Sequence, residues 1–208
     1  MKPDLTELWK RFCSDDDTKA FESLYYALFN KLIKFCIHYT SHRQAAEEIV
    51  SEIFVKCWNN RKKLMDIEFP ETYLFVAVKN QSLKHNKKYS SIHLVEIEDS
   101  GNILLVDTAD PQEIIERKEM HHRLDQAIET LPMQAKMVFR LIKENGLRYK
   151  EVAEILEISP RTVQTQLFRA IAKLRLVLQS YKQALLKDDP GNKILSIALA
   201  VYLINYFF

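Results

Sequence analysis

Glycine is the residue this chain lacks most: three among 208 residues, at Gly101, Gly146 and Gly191. A compact β-protein needs far more turn residues, so the scarcity excludes a strand-rich fold and predicts a mostly helical one. It also excludes a glycine-rich phosphate loop. Cysteine is equally sparse. Cys13, Cys36 and Cys57 are odd in number, widely spaced and without a CxxC pair. That speaks against a disulfide framework or a zinc site and for a reducing compartment. No apolar run follows the charges of MKPDLTELWKRF, so no signal peptide is visible there. Charge of one sign is not in excess either: 30 Lys and Arg against 28 Asp and Glu exclude a uniformly basic coat. With 47% apolar residues, the chain has material for one core or two small ones.

What is present is helical periodicity with clear punctuation. Pro70, Pro111, Pro132 and Pro160 stand where helices should begin, near first turns. Phe21, Leu24, Leu28, Leu32 and Cys36 recur at helical spacing, broadened by Tyr25, Phe29 and Ile33. Ala46, Ile49/Val50, Ile53/Phe54 and Cys57/Trp58 form the cleanest stripe, with Glu47, Glu48, Ser51, Glu52 and Lys56 on the other face. A third helix is predicted from about Pro70 to Lys88. Together these make an N-terminal bundle over residues 1–90.

Charge then divides the chain. Thr72–Val95 holds no acid, only Lys79, Lys84, Lys87 and Lys88. Glu96–Glu113 reverses this with six acids and no Lys or Arg, and reads as a linker over 91–112 with an apolar centre, Ile103–Val106. Its acids are expected to shield the basic faces of the free chain. A second bundle should occupy 113–182, followed by a hinge and an apolar tail over 183–208. No catalytic constellation is found, and no cofactor is called for. His121 and His122 are adjacent and lack a partner at ligand spacing. Asp15, Asp16 and Asp17 lack the alternating ligands of a calcium loop and read as a helix-start cluster.

The stretch Ile158–Arg175 carries four basic residues and no acid. Before it, LPMQAKMVFRLIKENG predicts a helix with Val138, Phe139 and Ile142 inward, closed by Gly146. LRYKEVAEILEI predicts a short helix with Val152, Ala153, Ile155 and Leu156 apolar. Ser159 is an N-cap and Pro160 a first-turn residue of the next helix, lined by Val163, Leu167, Ile171, Leu174 and Leu178. Arg161, Thr162, Gln164, Thr165 and Arg169 stay outside. A short helix, a tight turn and a longer helix with a polar leading end make a helix-turn-helix, whose second helix enters the major groove. Arg and Gln suit guanine and adenine edges, and Thr a thymine methyl. Arg169, Lys173 and Arg175 would lie near phosphates.

LPMQAKMVFRLIKENGLRYKEVAEILEISPRTVQTQLFRAIAKLR resembles region four of the sigma-70 family, in its extracytoplasmic-function (ECF) branch. AAEEIVSEIFVKCWNNR resembles the helix these factors lay against the RNA polymerase clamp. FPETYLFVAVKNQSLKHNKK resembles the helix that faces the downstream (−10) promoter element. The resemblance covers roughly residues 10–180 and implies an all-α protein of two DNA-binding bundles that directs core RNA polymerase to promoters. It assigns Glu47, Glu48, Ser51, Glu52 and Lys56 to the polymerase. For melting, Arg61, Lys62, Lys63, Asn80, Lys84, Lys87 and Lys88 can hold the DNA backbone, with Phe69 or Tyr73 beside an extruded base, although Trp58, Tyr73 and Phe75 read first as core. Arg161, Thr162, Gln164, Thr165, Arg169 and Lys173 would serve the upstream (−35) element. Two departures stand out: Glu157 replaces the glycine common in the turn, and Lys84 stands where an acid is frequent. The implied partners are core polymerase, promoter DNA and an anti-sigma factor, in the cytoplasm. The rival reading is a stand-alone helix-turn-helix regulator with a dimerising or sensing bundle.

The tail, Ile194–Phe208, lies outside the resemblance and carries no charge in fifteen residues. As a helix it would reach about 22 Å, short of a ~30 Å hydrocarbon core. Burial against protein and membrane association of residues 194–208 are the two readings.

Overall fold

The computed structural model describes residues 4–89 and 124–188, with side chains up to 87 and 176 respectively. The linker, Pro111, His121, His122 and the apolar tail lie outside the described residues. No strand occurs among the described residues, which gather into two compact units. Each is described by itself.

The first unit begins with a helix the periodicity reading had not singled out, α1 (Leu5–Ser14). Its signals are local: Asp4 caps it, Oδ1 accepting from the Thr6 and Glu7 amides at 3.0 and 3.2 Å. Trp9, Phe12 and Cys13 then bury one face. α2 (Thr18–Thr40) starts on Asp17, whose Oδ1 accepts from Lys19 and Ala20 N–H groups. It ends at Ser41 in the left-handed region, φ +60°. α3 (Arg43–Asn60) follows, then a 3₁₀ turn (Arg61–Leu64), then α4 (Pro70–Tyr89). α2 packs against α1, α3 and α4.

Aromatic rings fill the contacts. Phe21 meets Trp58 at 4.9 Å and Tyr25 meets Phe54 at 5.0 Å between centroids, while Phe35 meets Phe75 edge-on. Fully burying a ring of this size is worth about 1.5–3 kcal/mol. Trp9 Nε1 donates to the Leu64 carbonyl at 3.0 Å, fastening α1 to the 3₁₀ turn. Asn86 donates from Nδ2 to the Tyr39 carbonyl, joining the distal ends of α2 and α4. All three cysteines are free and buried, and burial pushes the Cys13 and Cys57 thiols up to about 11 and about 12. Such thiols behave as small apolar groups.

The helices from residue 124 onward are a segment over 124–129 (α5), α6 (Met133–Phe139) running on into a wider π turn (Arg140–Glu144), α7 (Tyr149–Leu156) and α8 (Pro160–Asp188). Three residues of the predicted apolar faces are only half-buried. Leu141 is buried and Ile142 only half-buried, because the π turn adds a residue and rotates the face. On α8, Ala170 is buried and Ile171 half-buried, so the core line is Val163, Leu167, Ala170, Leu174. Leu156 is also half-buried, while the Leu178 side chain is outside the described ones. Gly146 closes the π turn at φ +75°, its N–H donating to the Ile142 carbonyl. Glu129 accepts from Lys136 at 2.7 Å and Arg140 at 2.9 Å, tying α5 to α6.

Candidate nucleic-acid interface

α7, the turn and α8 form a helix-turn-helix whose turn has a definite construction. Glu157 takes the left-handed conformation, φ +55°. The Ile158 N–H donates back to the Ala153 carbonyl at 3.0 Å and Glu157 N–H to the Glu154 carbonyl at 3.3 Å, the two bonds of a Schellman close. Ser159 then caps α8, its Oγ accepting from the Thr162 amide at 3.0 Å and meeting the Thr162 hydroxyl at 2.8 Å. The first turn of α8 holds no acid. Pro160 has no N–H and the Thr162 and Val163 amides are bonded to Ser159, so it is the positive dipole end that favours a phosphate oxygen there.

Arg161, Gln164, Thr165 and Arg169 are all exposed on α8. Thr162 is half-buried with its hydroxyl held by the cap. Thr165 Oγ1 donates to the Arg161 carbonyl at 2.9 Å, which leaves its methyl as the group to offer a thymine. Lys173 Nζ donates to the Thr130 carbonyl at 2.6 Å, closing the end of α5. In the free chain this ammonium is a structural peg. Phe168 is exposed beside Arg161, Gln164 and Thr165 at i, i+3, i+4, i+7 spacing. The sequence reading did not select it, since an aromatic at helical spacing is usually core.

In the first unit, Lys62 and Lys63 project from the 3₁₀ turn and are exposed. Arg61 differs from them. It pairs with Asp16, donates from Nη1 to the Trp58 carbonyl at 2.9 Å and lies 5.2 Å from the Trp58 ring centroid. Next to the lysines the loop exposes Met65 and Phe69. Tyr73 is half-buried edge-on to Trp9, and Phe75 is fully buried. Asn80, Lys84 and Lys87 are exposed at helical spacing on α4; the Lys88 side chain lies outside the described ones.

The outer face of α3 is internally paired. Glu47 accepts from Arg43 at 2.8 Å, Glu48 from Gln44 at 3.4 Å, and Glu52 from Lys56 at 2.9 Å. Glu52 also accepts from Gln81 of α4 at 3.1 Å. The Lys56 hydrogen bond holds its carboxyl below the usual range. Ser51 and Val55 complete the exposed face, and Val55 is an apolar member that charge counting overlooked. Among the described residues, no group of three or more His, Cys, Asp or Glu is placed to hold a metal ion. No helix among them is long and apolar enough to cross a membrane.

Comparison with known proteins fits this layout. The model for sigma-70 region 2 matches residues 24–91 and that for sigma-70 region 4 matches 121–174, together more than half of the chain. The RNA polymerase sigma-H factor of Pseudomonas aeruginosa is 23% identical over 170 residues, 78% of this chain and 88% of that protein. The ECF RNA polymerase sigma-E factor of Escherichia coli is 26% identical over 162 residues, 74% and 84% of the two chains. Among solved structures, the sigma factor RpoE of Bartonella quintana, in complex with the anti-sigma factor NepR, is similar with a TM-score of 0.56 at 18% identity. That likeness covers 78% of this chain and 98% of the other. Two helical units, a capped helix-turn-helix and both regional matches in order lead to one conclusion: the chain belongs to the sigma-70 family of RNA polymerase sigma factors.

Proposed function

We propose a division of labour for this sigma factor. As a member of its family it binds core RNA polymerase and directs promoter recognition and transcription initiation. The α3 face, Glu47, Glu48, Ser51, Glu52 and Lys56 with Val55 among them, engages the polymerase. The 3₁₀ turn and the outer face of α4 receive the melted strand: Lys62, Lys63, Asn80, Lys84, Lys87 and Lys88 hold phosphates, and Met65 and Phe69 are the exposed apolar groups nearest to where a base would be extruded. Arg61 braces this loop. The α8 face, Arg161, Gln164, Thr165 and Phe168, reads the upstream element, while Arg169 holds phosphate. An anti-sigma factor regulates the chain, and it acts in the cytoplasm.

The observation that carries this reading is the capped, acid-free start of α8 with Arg161, Gln164 and Thr165 exposed together. Co-purification with core polymerase and run-off transcription test the function. Within that assay Arg161→Ala is expected to weaken promoter recognition by about 1–3 kcal/mol and relax preference at one or two base pairs. Arg169→Ala should weaken all sequences alike and flatten the salt dependence by about one unit. Equal, sequence-blind losses from both would refute the assignment.

A further inference from the structure

The 3₁₀ turn Arg61–Leu64 is held at both of its ends by residues far earlier in the chain. At one end the Arg61 guanidinium pairs with Asp16, in the connection between α1 and α2, 45 positions away. At the other end the Leu64 carbonyl accepts from Trp9 Nε1 at 3.0 Å, 55 positions away. Trp9 is a fixed point, 2% exposed and edge-on to Phe12 and Tyr73. Arg61 is fixed too, since it also engages the Trp58 carbonyl and ring, and that ring packs on Phe12 and Phe21. Lys62 and Lys63, both exposed, are the two residues between these anchors. Stability alone does not account for Asp16. It is exposed and its backbone is left-handed, φ +52°, a conformation that glycine or asparagine adopts at least as readily. An exposed ion pair adds little to stability. What an aspartate adds there, and those two residues do not, is a carboxylate that holds the Arg61 fork.

We propose that Asp16 is a positioning residue for promoter opening: through Arg61, and with Trp9 at the far end, it fixes the turn so that Lys62 and Lys63 meet the phosphates of the melted strand. This rests on the proposed role of the turn in receiving that strand. Asp16 itself touches no DNA. A carboxylate beside a phosphate repels it, yet this one lies within electrostatic reach of Lys62. Its charge is taken up by Arg61, whose guanidinium is engaged with Asp16 and Trp58 while the two lysines project. Lysines on an unanchored turn sample many positions, and that freedom must be given up when phosphate binds. Two anchors remove it before the strand arrives. The consequence carries a distinctive sign. Removing an acid next to a nucleic-acid face ordinarily strengthens engagement, whereas removing this one weakens it.

The test uses the full chain bound to core polymerase and follows opening of a duplex promoter by 2-aminopurine fluorescence in the downstream element. Asp16→Asn keeps the size and tolerates the left-handed backbone, so the charge alone is lost. Simple electrostatics predicts faster opening, because one negative group near the strand disappears. A positioning role predicts slower opening, by at least about fivefold, and a salt dependence flatter by about one unit. Asp16→Gly, which also relieves the backbone, should show the same loss. Opening that is unchanged or faster in either variant overturns the proposal. Lys62→Ala with Lys63→Ala then separates positioning from general destabilisation. Together these two changes should slow opening at least about threefold less in the Asp16→Asn chain than in the unaltered one. Equal losses in both backgrounds, which a merely structural role gives, overturn it as well. Lysine changes that leave opening intact in the otherwise unaltered chain refute the role of the turn, and the positioning role with it. Lysine changes that slow opening while Asp16→Asn does not refute the positioning role alone.

Discussion

Two residues flanking α7, Gly146 and Glu157, adopt the left-handed backbone, and they make opposite cases. Gly146 at φ +75° meets nothing within 4 Å of where a Cβ would stand. Gly146→Ala therefore tests the dihedral alone, and is expected to destabilise the unit by about 1–2 kcal/mol in a denaturant titration. Glu157 at φ +55° bears a Cβ in the same region. Glu157→Gly relieves that strain but gives the unfolded chain more freedom, so a smaller gain is expected, a rise of a few degrees in Tm at most. Glu157→Val, β-branched, should lower Tm. The need for a bend at Glu157 was legible in the sequence, because Ser159 and Pro160 announce a new helix directly after an apolar one. Which residue would carry the positive φ was not fixed, since neither Glu157 nor Ile158 is a glycine or asparagine; β-branched Ile158 is the worse suited of the two, and the bend falls on Glu157. Lys173 shows the same limit: its charge was readable, but its bond to the Thr130 carbonyl depends on a residue 43 positions away.

At the scale of elements, caps and charge pairs decide where helices begin. Ser159→Ala is expected to cost about 1 kcal/mol, because the Thr162 amide loses its acceptor. The frayed turn contains Arg161, so base preference in a binding assay should fall with it. Asp17 offers a test by pH. The Ala20 amide and then Arg11 hold its carboxyl below the usual range, and the Arg61 bond does the same for Asp16. A lowered folded pKa adds stability above the ordinary carboxylate pKa, and this is lost as pH falls through the lowered value. Thermal melts of wild type and Asp17→Asn should thus differ at neutral pH and converge on acidification; a gap that widened would contradict the pairing. The Asp15–Asp17 cluster was legible as a helix start, α2 and α3 as apolar stripes, and α4 from Pro70 at its first position. α1 was harder because its buried face is only three residues, Trp9, Phe12 and Cys13, and the π turn because one inserted residue leaves no mark in composition.

For the molecule as a whole, net charge decides little: +2 over 208 residues gives weak long-range attraction to DNA. Attraction must come from local faces, and the two units present different ones. The first exposes lysines with Met65 and Phe69 around a turn; the second exposes a capped helix end with Arg161, Gln164 and Thr165. A regulator that pairs with its own copy presents one face twice, and so demands a palindrome with half-sites about one helical turn apart. A sigma factor presents two unlike faces once, and so demands two unlike elements in fixed order. Selecting randomised DNA with the polymerase-bound chain should therefore return an asymmetric pair of motifs. Arg161→Ala should blur only the upstream motif, and Lys84→Glu should lower opening at the downstream one without changing the upstream consensus. Lys84 is the discriminating position because it is exposed on α4 between Asn80 and Lys87. Reversing its charge would remove the proposed phosphate contact and place a repelling group on the same face. Recovery of an inverted repeat, or an upstream consensus that moved with Lys84→Glu, would return the chain to the dimeric regulator.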